Sequence, residues 1–148
     1  MNLRRRRLCA ERGSASIEMA VLAPAVIALF VTLMIAGRTI TARQAMEAAA
    51  FDGARTASLA RDADTAQARA RAAATETLAA QGLNCATLRV DVNTDGFAVP
   101  VGQPATVSVT ITCDADFSDI ALPGMPGGAT YRASFVSPLD QYRGRSPT

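Results

Sequence analysis

Residues 19–37 read MAVLAPAVIALFVTLMIAG, 19 residues without a charge, bounded by Glu18 and Arg38. As an α-helix rising ~1.5 Å per residue, the run spans about 28 Å, close to the ~30 Å hydrocarbon thickness of a bilayer. Two other segments share this composition: a buried helix of a soluble protein and a cleaved secretory signal. A signal core usually holds ~7–15 apolar residues and ends at a small-residue cleavage site. This run is longer and ends at Arg38, with Ala36 and Gly37 its only small terminal residues. A transmembrane helix is therefore predicted over 14–38. Pro24 lies inside it and removes one N–H from the helical ladder.

Ahead of the run stand Arg4, Arg5, Arg6, Arg7 and Arg12, with Glu11 the only acid. Arginine-rich flanks stay cytoplasmic, so the N-terminus is predicted inside and the mass after Arg38 outside. A basic cluster also suits nucleic acid, but its place directly before a spanning helix favours the topogenic reading, and no nucleic-acid partner is expected. All 15 basic residues are arginine and there is no histidine. Imidazole acid–base chemistry, histidine metal ligation, lysine Schiff bases and a phosphate-loop lysine are thereby excluded.

Between the basic leader and the apolar run lies Arg12-Gly13-Ser14-Ala15-Ser16-Ile17-Glu18-Met19-Ala20-Val21-Leu22-Ala23-Pro24, in which Glu18 is the fifth residue after Gly13. This resembles the processing site of type IV pilin-like proteins. More specifically, it resembles the opening of the TadE-like pseudopilins of tight-adherence (Flp) pilus systems, with Met19 where that family commonly has an aromatic residue. The resemblance is specific from about Arg12 to Ala60 and only general beyond. It implies a prepilin peptidase that cuts after Gly13 and leaves Ser14 as the new amino terminus. Glycine admits close approach of a protease to an extended backbone. The resemblance further implies that Glu18 pairs with the free amine of a neighbouring subunit. A carboxylate costs roughly 2.5–3.5 kcal/mol at mid-bilayer and less near the interface, and a new α-amino group of reference pKa about 7.7–8.0 would offset it. The alternative is that Glu18 sits in the headgroup zone at a favourable helix N-terminus.

Beyond Arg38 the chain reads as an α+β head. Alanine is abundant, 31 residues in all, and is concentrated before Gln81. Met46, Ala49, Ala50, Gly53, Ala54 and Ala57 recur at helical spacing, a small-residue stripe suited to packing on a second helix, with Phe51 and Leu59 also needing cover. Asp62 or Asp64 can cap that second helix, over Ala66, Ala70, Ala73, Ala74 and Leu78 to a stop at Gly82. An alanine-rich helical hairpin is predicted over 39–82. After Asn84 the period becomes two: Leu88, Val90, Val92; then Val107, Val109, Ile111, Cys113; then Tyr131, Ala133, Phe135. A small three-stranded antiparallel sheet over 83–138 would pack on the helices, with 139–148 a flexible tail.

Cys9 belongs to the basic cytoplasmic leader, residues 1–13, and would leave with it, so Cys85 and Cys113 remain as an even pair. Antiparallel pairing of the first two strands could bring them together as a disulfide; two buried free thiols are the alternative. Loss of the leader removes five arginines against one glutamate and takes the formal charge from +2 to −2. The stretch from Asp91 through Asn93 and Asp95 to Gly96 matches the first half of a calcium loop, but its twelfth position is Gly102, and a strand-to-turn transition uses the same residues. Asp119 and the pair Asp114 and Asp116 read as solvated loop carboxylates. No enzyme activity, cofactor, metal or small-molecule substrate is expected. Membrane, prepilin peptidase and other pilins or pseudopilins are the expected partners. A second reading is an anchored binding module that presents the loop from Asp114 to Gly128 to another secreted protein.

Overall fold

The computed structural model describes the backbone of residues 4–116 and 128–146, and the side chains of 18–115 and 128–146. Helix α1 is Arg4–Ser58 and α2 is Ala63–Ala80; strand β1 is Cys85–Asn93, followed by a 3-10 turn Asp95–Ala98, then β2 Thr106–Asp116 and β3 Gly128–Pro138. The chain is α+β, as its two periodicities predict. It divides into two compact units, residues 1–40 and 41–148.

The second unit is a helical pair packed on a sheet. Its first helix is the end of α1, and the small-residue stripe is its buried face: Ala42, Ala45, Met46, Ala49, Ala50, Ala54 and Ala57 are all buried. Small side chains matter because the backbones come close. A Cβ added at Gly53 would stand 3.2 Å from the Ala70 carbonyl oxygen and 3.4 Å from Val109 Cγ1. The chain then turns through 59–62. Asp62 is the cap of α2: its backbone is extended and its Oδ1 accepts from Thr65 N at 2.7 Å. Asp64 lies instead in the first turn, where a carboxylate complements the helix dipole. Residues Ala66, Ala70, Ala74 and Leu78 face inward, one per turn, and Thr77 Oγ1 donates to Asp52 Oδ2 across the pair at 2.9 Å. At the far end Gly82 adopts φ +68° while Leu83 N donates to Leu78 O, a C-terminal arrangement that turns the chain out of the helix toward β1.

The sheet order is β1-β2-β3, both pairs antiparallel. Register puts Leu88, Val90 and Val92 opposite Cys113, Ile111 and Val109, which in turn lie opposite Tyr131, Ala133 and Phe135. All of these share the helix-facing side. Thr110, Thr112 and Asp114 occupy the other side; there Thr110 donates to Ser134 and Thr130 to Asp114.

Two expectations are corrected, and one connection adds to the core. Phe51 and Leu59 are not covered: they remain 43% and 56% exposed, and Phe51 meets the edge of Phe135, ring centroids 4.9 Å apart. The β1–β2 connection carries a core residue, because its 3-10 turn drives Phe97 inward, where it is 2% exposed and among the largest fully buried side chains. Residues 139–146, expected to trail free, return to the head. Leu139 is buried. Arg145 donates to the carbonyls of Val99, Pro100, Gln103 and Asp140, Arg143 donates to Leu59 O, and Ser146 N to Arg61 O. Guanidinium groups with several donors in a fixed fork suit this clustering of carbonyls.

Candidate membrane anchor and processing site

Helix α1 carries the predicted anchor. From Glu18 to Ile40 no residue is buried, and Met19, Val21, Leu22, Ile27, Leu29, Phe30, Leu33 and Met34 are all more than half exposed. The most apolar window has a mean hydropathy of 2.6 with none of it buried. Apolar bulk on every side of a helix, with no protein around it, calls for a surrounding apolar solvent. The hydroxyls inside the run and just past its end are dealt with locally. Thr32 Oγ1 donates to Ala28 O at 2.8 Å and Thr39 Oγ1 to Ile35 O at 3.0 Å, which satisfies each hydroxyl within its own helix, as a lipid environment demands. Pro24 sits within the helix, early enough that one missing N–H leaves the remaining ladder long. Among the described residues, one helix near the N-terminus is therefore long and apolar enough for a single membrane crossing.

Glu18 is exposed at the N-terminal border of this apolar run. Gly13 and Ser14 lie on the helical backbone of α1, so the helix starts before the predicted 14–38 segment. A run of good helix formers on both sides accounts for the continuity, since leucine, arginine, methionine and alanine all propagate helix well. The side chains of Ser14 and of Cys9 lie outside the described residues, as do residues 117–127 of the proposed presenting loop, Asp119 included.

The two remaining cysteines are joined. Cys85 and Cys113 form a disulfide across β1 and β2, with Cα atoms 5.4 Å apart and a sequence separation of 28. The register slips between Cys85 and Thr87, and this bulge turns Cys85 to the buried side that Cys113 occupies. At the other end of β1, Asn93 Oδ1 accepts from Asp95 N at 3.0 Å, and Asn93 Nδ2 donates to Asp95 Oδ2 at 2.9 Å. The would-be calcium-loop side chains thus close a turn among themselves, and the described residues hold no cluster of three or more carboxylate or thiol groups suited to a metal ion.

Residues 13–55 match the TadE-like protein family. The match begins on Gly13 and runs through Glu18, Pro24, the whole apolar run and the small-residue stripe as far as Arg55. This TadE-like region supports a role connected with tight-adherence pili. Helix α2 and the sheet lie beyond it. No curated protein and no solved structure matches the chain significantly.

Two features of the head were not evident from pattern. Phe97 stands among glycine and proline, where an isolated aromatic residue is the only hint that a connection is packed rather than solvated. Arg145 gave no signal, since three of its four carbonyl partners lie more than forty residues away in sequence.

Proposed function

We propose that this chain is a membrane-anchored minor pseudopilin of a tight-adherence (Flp) system, trimmed after Gly13 by a prepilin peptidase and engaged in assembling the pilus or a related secretion apparatus. The observation that carries the reading is the coincidence of a family match starting on Gly13 with an apolar helix exposed on all sides. The leader arginines keep the N-terminus cytoplasmic and direct the head outward, where an oxidising compartment suits the Cys85–Cys113 bridge. Cleavage requires α1 to open locally. Gly13 favours this, because glycine in a helix costs about 1 kcal/mol relative to alanine, and the neighbouring Ser14 and Ser16 add little helical preference. The new amine at Ser14 then pairs with Glu18 of an adjacent subunit, while lateral packing of apolar helices supplies the assembly contacts. The role is structural, not enzymatic, and needs no cofactor.

The deciding measurement is the intact mass and N-terminal sequence of the membrane-extracted protein, made with and without a prepilin peptidase. Peptidase-dependent appearance of a chain starting at Ser14 is expected. An intact leader in both cases, or cleavage after Gly37, refutes the proposal. Pili that still assemble normally with Glu18→Ala remove the pairing role while leaving the processing step intact.

A further inference from the structure

A groove of about 730 Å³ lies between α1 and β3, wholly within residues 41–148. Four consecutive strand residues line it, Arg132, Ala133, Ser134 and Phe135, although neighbours in a strand point to opposite faces of the sheet. Ala133 and Phe135 lie opposite the buried Ile111 and Val109 on the helix-facing side, and Arg132 and Ser134 lie opposite Thr112 and Thr110 on the other. A groove that touches all four runs along the edge of the strand, where the main-chain groups stand between the two faces. Among the described residues β3 is the last strand of the sheet. In an antiparallel ladder every second residue of such a strand turns both its N–H and its C=O away from its neighbour.

This edge is unguarded. Strand edges are commonly blunted by charges, prolines or bulges. The opposite edge, β1, has a slipped register between Cys85 and Thr87 and carries Arg89 and Asp91. β3 pairs with β2 from Gly128 to Pro138 without a slip, has Arg132 as its one charge, and meets a proline only at its final residue. Over the groove stands α1, with Ala48 and Phe51 and the acids Glu47 and Asp52. Phe51 and Phe135 touch each other and are both more than a third exposed. Asp52 accepts from Thr77. Glu47 is exposed and has no bonded partner among the described residues.

We infer that this groove receives an extended segment of another protein, which joins the three-stranded sheet beside β3 under the wall of α1. Strand addition draws its affinity from main-chain hydrogen bonds and its specificity from pockets for alternate side chains. The edge of β3 supplies the first and the aromatic pair the second. An added strand lies about 4.8 Å beyond β3. Its helix-side residues enter between α1 and β3, apolar over Phe51 and Phe135 and cationic toward Glu47. Its other residues stand beside Arg132 and Ser134, which match a carboxylate and a hydroxyl, since opposite charges and paired hydroxyls stabilise neighbouring strands. The partner is therefore an extended chain of alternating pattern, apolar and basic toward the helix, hydroxylic and acidic away from it. A helical partner satisfies its own main chain and leaves that of β3 unmatched. Cleavage at Gly13 plays no part in this contact.

The test uses the full chain in lipid nanodiscs and the fluorescein-labelled peptide Thr-Val-Ser-Arg-Asp-Val-Thr-Val-Ser, with fluorescence anisotropy as the readout. Saturable binding is expected. Two further peptides carry N-methyl groups on the odd or on the even residues, which removes the N–H donors from one edge of the peptide or the other. One of these is expected to bind and the other to fail. Glu47→Arg, at an exposed position, is expected to weaken the parent peptide about fivefold and to favour a version with glutamate in place of its arginine, a reversal that a folding defect does not produce. No binding of the parent peptide overturns the proposal. An equal effect of the two N-methyl patterns also overturns it, because an apolar pocket without strand pairing does not distinguish them. Sedimentation of the detergent-solubilised chain as a dimer that Glu47→Arg dissociates assigns the edge to a second copy and overturns it equally.

Discussion

Gly96→Ala is expected to damage the head far more than one methyl group ordinarily does. A Cβ at this position falls on the Thr106 carbonyl, inside 3.0 Å of its oxygen and 3.0 Å from its carbon, and 3.1 Å from Leu139 Cδ1. Carbon contacts are optimal near ~3.5 Å or beyond, so the backbone of the 3-10 turn and the start of β2 must part by roughly 1 Å. A leucine rotamer can yield; a carbonyl at the start of an eleven-residue central strand cannot yield without loosening the sheet. The same shift withdraws the adjacent Phe97 from the core and strains the bond from Leu139 N to Ala105 O. Overpacking of well-filled sites costs about 1–3 kcal/mol, and a clash with backbone on one side and a buried leucine on the other belongs at the top of that range, about 3 kcal/mol. The assay is urea unfolding of the detergent-solubilised full chain, followed by circular dichroism, with calcium and with chelator. The expected result is a lowered midpoint at unchanged slope, identical in both conditions. A loss below about 0.5 kcal/mol, the range of ordinary surface substitutions, refutes the close-approach argument. A loss seen only in the presence of calcium would return Gly96 to the role of an ion-loop glycine.

Replacing both Cys85 and Cys113 by alanine is expected to cost about 3.5 kcal/mol, the chain-entropy value for a loop of 28 residues, and the same urea series under reducing conditions should bring the parent down to the variant. Arg145→Ala removes a guanidinium that binds four carbonyls; about 2 kcal/mol is expected from hydrogen bonds to a charged group, and hydrogen exchange should quicken first at Gly102, whose N–H donates to Gln141 O. Asp62 has its carboxyl held below the usual value of 3.8 by hydrogen bonds from the Thr65 backbone and side chain, which outweigh desolvation, with the Arg69 charge the least of the causes. Its folded pKa is depressed, so its stabilisation is complete above the unfolded value and fades as pH falls through the folded one. Asp62→Asn, which keeps an accepting oxygen but cannot titrate, should remove that part of the acid dependence of unfolding; an unchanged acid limb counts against the cap.

Legibility in the sequence followed burial geometry. The alternation of Val107, Val109, Ile111 and Cys113 reads cleanly because β2 is central and one face of it is sealed by helices, so each second residue has only one tolerable environment. Outer strand β3 reads less well for the same reason: Phe135 keeps to the inner face yet stays 38% exposed, and Val136 is exposed on the opposite side. The stripe from Met46 to Ala57 announced a close helix partner, and Asp62 and Gly82 marked the ends of that partner. Cover for Phe51 and Leu59 was inferred from hydrophobicity alone, a rule that runs in one direction only, since much of any protein surface is apolar. The returning segment 139–146 left no mark, because carbonyl acceptors have no residue identity. An arginine that binds four backbone oxygens looks, in sequence, like any solvated arginine. The processing site is legible as a motif and not as a shape: Gly13 sits in helical backbone, so its susceptibility depends on how readily that helix opens.

Within α1 itself, side-chain size and surroundings change at the same place. From Met19 to Ile40 the large apolar residues are leucine, isoleucine, valine, phenylalanine and methionine, interspersed with alanine and none of them buried; from Ala42 to Ala57 the buried positions hold alanine and glycine, with Met46 the single large exception. The two requirements are opposite. Lipid chains conform to any outline, so bulky side chains gain contact there without a fitting cost, and hydropathy summed over a window detects them. A neighbouring helix and sheet have fixed outlines, and the 3.2 Å between a Cβ at Gly53 and the Ala70 carbonyl leaves room only for small residues, which periodicity detects and hydropathy does not. The family match spans both regimes, from Gly13 to Arg55, and stops before α2. A single helix is thus specified twice over, by bulk where it meets an apolar solvent and by the absence of bulk where it meets its own head.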